Sequence, residues 1–336
     1  MTTPESRRPT IRDVAAAAGV SYGTVSRVLN GGRWVSAETE AAVHDAIRRT
    51  SYRVNPHART LATNRSNSIG FLLTESQQLL FDDPVFSDLV RGTAQALAEY
   101  DKSLVLIIAG TPAEQARAAN YLTAGHVDGV LLAFSSHGGN PLIDELLAAR
   151  VPVVSAGQPV GYEGRLGSVS ADDFEGAKRM VEYLVSKGRR QIALIAGPQD
   201  TPGGINRLAG YRAALGTSND QLIVYGDYGR ESGVRALEEL LHRRVDFDAV
   251  FAANDAMAVG AISALRDAGL EVPTRVAVAG FDDSVFATSS EPQLTTMRQP
   301  FDRISSELVR LLLSVIDGDE PATITLRATL VERDST

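Results

Sequence analysis

Cysteine is absent from this 336-residue chain. That excludes disulfides and thiolate metal sites and suits a reducing compartment. Tryptophan occurs once and aromatic residues make up 6% of the chain, so rings for stacking are few. Three lysines stand against thirty arginines, a bias that speaks of codons more than of chemistry. No apolar run approaches the roughly 20 residues that span a bilayer. The opening MTTPESRRPT lacks the hydrophobic core of a secretory signal, so a cytoplasmic location is expected. No G-x-x-x-x-G-K-[ST] phosphate loop occurs, and His44, His57, His126, His137 and His242 have no close metal-ligand spacing. Asp82-Asp83 and Asp282-Asp283 are sequence neighbours, so each pair diverges instead of facing across a bond. Neither catalysis, a metal nor a cofactor is expected.

What is present is unevenly distributed. Residues 1–66 hold ten arginines, no lysine and five acidic residues, a net of +5; the whole chain is −8, so residues 67–336 carry −13. A basic head on an acidic body concentrates attraction for a polyanion in one place.

That head is patterned as two short helices and a third. Ile11, Val14, Ala15 and Ala18 recur at i, i+3, i+4 and i+7, one apolar helix stripe, and Gly19 ends it. Ser21 suits an N-cap, after which Val25, Val28 and Leu29 face inward. Tyr22, Gly23, Ser26, Arg27 and Asn30 then share the outward face, which carries donors for base edges and phosphates. This is a helix-turn-helix with an exposed recognition helix. Gly19, Ser21 and Gly23 also spell G-x-S-x-G, but a nucleophile elbow needs a strand before its serine and a helix precedes this one. After Ser36 a third helix, with Val43, Ala46 and Ile47 inward, is expected to end near Tyr52. Trp34, in the loop before it, suits packing or a backbone contact. Asn55-Pro56 then opens a segment, His57 to Ala62, too short to be helical without a partner.

From Ser68 onward apolar runs alternate with helical stretches: SIGFLL, SLVLIIA, GVLLA and VPVVSA, then QIALIA, LIVY, AVFAA and VAVAG. Strands alternating with helices argue for parallel α/β sheets, and two sets argue for two lobes with a ligand cleft at the strands' carboxyl ends. The expected domains are a helix-turn-helix domain over 1–54, a hinge helix and linker over 55–66, and a two-lobed sensor core over 67–336. Lobe 1 is expected over 67–162 and 296–322, lobe 2 over 163–295 and 323–333.

The run IRDVAAAAGVSYGTVSRVLN, followed in order by Leu194-Ile195-Ala196-Gly197-Pro198, Arg207-Leu208-Ala209-Gly210-Tyr211, Ala253-Asn254-Asp255 and Gly280-Phe281-Asp282-Asp283, resembles the lactose/galactose repressor (LacI/GalR) family of bacterial transcription factors. The resemblance runs nearly colinearly from Thr10 to about Glu332. It implies a periplasmic-binding-protein-like sensor joined to the DNA-binding head. It also implies a homodimer on double-stranded, pseudo-palindromic operator DNA, under control of a small effector. Tyr22, Gly23 and Arg27 fall on the base-recognition positions, although Gly23 offers no side chain where one is common. Thr24, Ser26, Asn30 and Ser36 are assigned to the DNA backbone. Asn55, Ala58 and Leu61 belong to the hinge in the minor groove, with Leu61 as the wedge between base pairs. Phe81, Arg207, Tyr228, Asn254 and Asp282 match ligand positions, Phe81 ranking above Phe86 and Phe134.

The chain departs from some relatives at Ala133 and in Ser155-Ala156-Gly157-Gln158, which lacks an acid found elsewhere, so the effector is not copied from them. A sugar or glycoside is the first expectation and a purine or nucleoside the second. A repressor of carbohydrate-utilisation genes therefore stands ahead of a DNA-independent solute-binding protein or a sugar-modifying enzyme. The end VERDST has no heptad extension, so a dimer is expected, with Pro84 to Tyr100 and Ile304 to Ile316 as candidate contact helices.

Overall fold

The computed structural model describes residues 9–29, 35–52, 65–74, 83–133, 140–157, 161–216 and 220–336. Asn30, Trp34, Asn55, Ala58, Leu61, Phe81 and Phe134 lie outside the described residues. The chain divides into two units, Met1–Ser66 and Asn67–Thr336.

In the first unit the helices are Ile11–Ala18, Tyr22–Leu29 and Ala37–Thr50. Each begins where a side chain satisfies a free backbone donor. The Asp13 carboxylate accepts the Thr10 N–H at 2.7 Å, Ser21 Oγ accepts Thr24 N–H at 3.1 Å, and Ser36 Oγ accepts Thr39 N–H at 3.2 Å. Gly19 ends the first helix at φ 67°, a left-handed turn that glycine adopts without steric cost. Val14, Ala15, Val25, Val43 and Ala46 form the buried core, and Ile11, Ala18, Val28, Leu29, Ile47 and Tyr52 pack around it. A core this small leaves little margin, since each buried aliphatic side chain contributes roughly 1.5–3 kcal/mol.

The second unit contains two parallel sheets. Strands β1 (Ser68–Leu73), β2 (Ser103–Ile108), β3 (Gly129–Ala133), β4 (Val153–Ala156) and β5 (Gly167–Ala171) join β11 (Thr323–Leu326) in the order β11-β5-β4-β3-β1-β2. Strands β6 (Ile192–Ala196), β7 (Ile223–Tyr225), β8 (Ala249–Ala252) and β9 (Ala277–Ala279) form the order β7-β6-β8-β9. Their inner strands read as unbroken apolar runs because helices cover both faces. A third, antiparallel pair joins β10 (Thr296–Arg298) to β12 (Thr329–Val331).

The lobe boundaries expected from sequence require correction. β5 pairs with β4, and β11 pairs with β5, so residues 167–171 and 323–326 belong to the first lobe's sheet. Conversely, Gly280 N–H donates to Thr295 O and Asp282 N–H to Met297 O, which places residues 295–298 in the second lobe. The reason is compositional: GSVSA and TITL carry too few large apolar residues to stand out as strands, and neither β10 nor β12 is longer than three residues. The chain thus passes between lobes after Ala171, after Arg298 and after Leu326.

Candidate functional site

The carboxyl ends of β4, β5, β6, β7, β8 and β9 converge on a cavity of about 260 Å³ between the lobes. Helices that start at its wall bring polar residues to it by their caps. Asn254 caps Asp255–Asp267 through the Met257 N–H at 2.9 Å, and Thr201 caps Pro202–Leu215 through the Gly204 N–H at 3.2 Å. Asp83 caps Pro84–Ala98 through the Val85 N–H at 3.0 Å.

Arg207, only 6% exposed, is the centre of the second-lobe wall. Its Nε donates to Asp173 Oδ1 at 2.8 Å, its Nη1 to the Ala253 carbonyl, and its Nη2 stands 3.4 Å from Asp282 Oδ1. The guanidinium lies over the Phe281 ring at 3.9 Å. Burial works against its charge, but Asp173 and Asp282 outweigh burial and hold the group more basic than usual.

Asp282 is held from several directions. Gln299 Nε2 donates to Oδ1 at 2.6 Å, and the backbone sits at φ 111°, a conformation rare for a side-chain-bearing residue. Burial pushes its carboxyl well above the ordinary range; Arg207 draws it down, while Asp255 and Asp83 push it further up. Asp283 turns the other way and pairs with Arg298 and Arg333, each at 2.6 Å. The adjacent carboxylates therefore do diverge.

Tyr228 contributes its ring to the wall. Its hydroxyl lies 3.1 Å from Thr201 Oγ1, its carbonyl accepts from Asn254 Nδ2 at 2.9 Å, and burial pushes the phenol up to about 12. Gly197 is what admits the ring: a Cβ there would lie 2.6 Å from it. Apolar surface comes from Val85, Phe86, Leu89, Phe301 and Ile304 of the first lobe.

Arg207, Tyr228, Asn254 and Asp282 are thus brought to one cavity, and Phe86 lines it while also packing in the core. Asn254 spends both ends of its amide on the protein, through Met257 and Tyr228. Sequence reasoning missed Asp83, Asp173, Asn206 and Gln299. Asp173 follows β5, whose GSVSA run carries too few large apolar residues to stand out as a strand, and Asp83 stands in the sequence only as half of an acidic pair. Among the described residues no group of three or more His, Asp or Glu side chains could hold a metal.

In the first unit Tyr22 is 57% exposed, Arg27 is exposed and Gly23 half-buried on the recognition helix. Thr24 Oγ1 lies 2.8 Å from Ser21 Oγ and Ser36 Oγ 2.9 Å from Thr39 Oγ1, so two of the three candidate backbone-contacting hydroxyls are tied into caps. Ser26 sits half-buried on the same helix.

Comparison with known proteins adds an independent line. Residues 10–55 match the model for bacterial regulatory proteins of the lacI family, and residues 181–336 match a periplasmic binding protein-like domain. The chain is 43% identical over 336 residues to the HTH-type transcriptional regulator CelR of Thermobifida fusca, covering 98% of each. A solved structure of a CelR-cellobiose complex matches with 41% identity and TM-score 0.78, covering 98% of this chain and 100% of that one. The lac repressor dimer bound to operator and the anti-inducer ONPF matches with 30% identity and TM-score 0.85, covering 98% and 99%.

Proposed function

The chain belongs to the lacI family of bacterial regulatory proteins, and on that footing we propose that it represses carbohydrate-utilisation genes in answer to a neutral glucoside of the cellobiose class. It is a DNA-binding transcriptional regulator, not an enzyme. Similarity to a cellobiose-binding relative over nearly the whole length carries the choice of effector. The cavity is chemically compatible with it. A guanidinium and carboxylates can each grip neighbouring hydroxyls, while apolar and aromatic side chains accept the C–H faces of a pyranose. The same similarity favours a saccharide over a purine or nucleoside.

The reading extends to mechanism. A homodimer in the cytoplasm binds a pseudo-palindromic operator, because one short recognition helix reads few bases and two-fold symmetry doubles the site. Tyr22 and Arg27 read bases beside Gly23, while Thr24, Ser26, Asn30 and Ser36 position the backbone. Leu61, with Asn55 and Ala58, enters the minor groove and bends the duplex. Effector in the cavity changes the angle between lobes and withdraws the hinge, to the extent that it prefers one state over the other. Among the described residues no helix is long and apolar enough to cross a membrane.

The test is a DNA-binding titration on a fragment adjoining the gene, with cellobiose, glucose, ribose and hypoxanthine, beside a Leu61→Ala control. Specific binding altered by cellobiose alone supports the proposal. A response to hypoxanthine alone overturns the effector assignment. Equal, sequence-indifferent binding by wild type and Leu61→Ala overturns the hinge mechanism.

A further inference from the structure

One carboxylate ties together two of the segments that pass between the lobes. Asp283, its side chain 8% exposed, accepts from Arg298 Nε and Arg333 Nη2, each at 2.6 Å. Arg298 ends β10 at the second crossing, and Arg333 follows β12 after the third. The backbone of Asp283 sits at φ 59°, directly after Asp282 at φ 111°. Two consecutive side-chain-bearing residues at positive φ persist only where their surroundings over-determine them.

The two halves of this clamp are unequal. The Arg333 side chain is 13% exposed and also spends Nη1 on the Leu294 carbonyl at 2.8 Å, which fixes it in the second lobe. The Arg298 side chain is 56% exposed, and Asp283 is its single side-chain partner among the described residues. An ion pair on so exposed a cation adds little to stability. It is free to exchange.

Beside Arg298 lies a second cavity, of about 300 Å³, with acids of both lobes on its wall. Asp282 and Asp283 belong to the second lobe, Asp88 and Asp302 to the first, on helices Pro84–Ala98 and Phe301–Ile316. Asp88 holds Arg91 at 2.9 Å and makes it more basic than usual; Asp302 adds to that rise without pairing. Asp302 is exposed and stands four residues beyond Arg298 on the same cavity, so it is the first-lobe acid that a turning Arg298 meets. The crossing segment also touches the effector wall. Asp282 N–H donates to the Met297 carbonyl at 2.8 Å and Gln299 Nε2 to Asp282 Oδ1 at 2.6 Å, bonding Asp282 to the residues on either side of Arg298.

We propose that Asp283 and Asp302 are alternative partners of Arg298, one in each lobe, and that exchange between them sets the balance between two lobe angles. Paired with Asp283, Arg298 holds the crossing segment to the second lobe, as in this structure. Paired with Asp302, it holds the segment to the first. Arg298 is thus a positioning residue, and the segment is a two-state element of the kind that coupling between sites requires. An effector on Asp282 moves the balance through Met297 and Gln299, by its difference in affinity for the two arrangements. This last step rests on the effector reading of the neighbouring cavity; the exchange itself does not.

The absence of cysteine makes the test clean. Cysteines introduced at the exposed Ala148 and Ala213, one in each lobe, take a pair of spin labels without competition. Label distances in the full chain, diluted with unlabelled chain, report the lobe angle, and affinity for the DNA fragment adjoining the gene reports its consequence. Asp283→Asn and Asp302→Asn should shift the distance distribution in opposite directions, with operator affinity following by up to about fivefold, the size of an exposed ion pair. In an Arg298→Gln background Asp302→Asn should change neither. A structural role for these residues would move melting temperature without that dependence on Arg298. The proposal is overturned if Asp302→Asn acts equally with and without Arg298, if it has no effect in either, or if both single variants shift the distances the same way. Cellobiose that leaves the distances unmoved, while Arg298 and Asp302 remain coupled, sinks the effector reading and leaves the exchange standing.

Discussion

Arg207 Nη2 stands 3.4 Å from Asp282 Oδ1, and both side chains are almost wholly buried. Asp173 holds the same guanidinium at 2.8 Å, so two carboxylates depend on one cation. Replacing Arg207 with glutamine leaves both acids without it. Breaking a buried pair by removing one partner costs about 3–5 kcal/mol, so Arg207→Gln should lower the melting temperature and abolish effector response. Asp282→Asn should be milder, because Oδ1 still accepts from Gln299 and the carboxyl already resists ionisation. Thermal melts of both variants check the ranking; equal losses would refute it.

Gly197 and Tyr228 make a second dependency. An added Cβ at residue 197 would lie 2.6 Å from the Tyr228 ring, too close for any side chain to accept. Gly197→Ala should push that ring into the cavity and strain its contact with Thr201, since overpacking of this kind costs typically about 1–3 kcal/mol. Effector affinity should fall while ligand-free operator binding holds. Unchanged cellobiose affinity in Gly197→Ala would show that the ring does not border the ligand.

Much of this could be read before any coordinates. The i, i+3, i+4 stripe of Ile11, Val14, Ala15 and Ala18 and the cap at Ser21 are local signals, and local hydrogen bonds and burial fix those helices. The eight apolar runs became β1 to β4 and β6 to β9; all but the edge strand β2 are largely buried, and buried parallel strands demand continuous apolar residues. β5 escaped notice because small residues fill the close space beside it: a Cβ at Gly167 would lie 3.1 Å from Leu311 Cδ2. With β5 went Asp173, whose pairing with Arg207 is a contact across 34 residues that no local pattern announces. Asp83 and Gln299 were illegible for the same reason, their roles arising only when two lobes meet.

The recognition helix offers a prediction of specificity. An added Cβ at Gly23 would meet Ser21 Oγ at 3.8 Å and Arg27 Nη2 at 4.0 Å, ordinary contacts. Gly23→Ala should therefore fold, with helix stability raised by up to about 1 kcal/mol. Arg27→Ala should instead cost about 1–3 kcal/mol of discrimination between operator and mutated operator, the worth of a bidentate base contact. Binding measured on both sequences at fixed salt decides: a uniform loss on both would make Arg27 a phosphate contact.

The last prediction concerns pH. Asp255 is 1% exposed, and burial pushes its carboxyl up to about 7 despite hydrogen bonds from Thr296 Oγ1 at 2.6 Å and Ser284 N–H at 2.7 Å; Asp283 adds to the rise. An acid whose folded pKa exceeds its unfolded value holds its proton more tightly when folded. Between the ordinary carboxylate range and about pH 7 the folded state then binds more protons, so this group's contribution to stability falls as pH rises and levels off above that window. Asp255→Asn removes the titration but places an amide N–H₂ where one oxygen accepted, so it should be less stable at pH 5. Its deficit should shrink toward pH 8, by up to roughly 1.4 kcal/mol per pH unit within the window. Melting or denaturant curves for both proteins at pH 5, 6, 7 and 8 measure the difference directly, with other titrating groups largely cancelling. Parallel profiles would mean that Asp255 stays ionised throughout, its charge stabilised by Thr296 and Ser284 more strongly than burial opposes it.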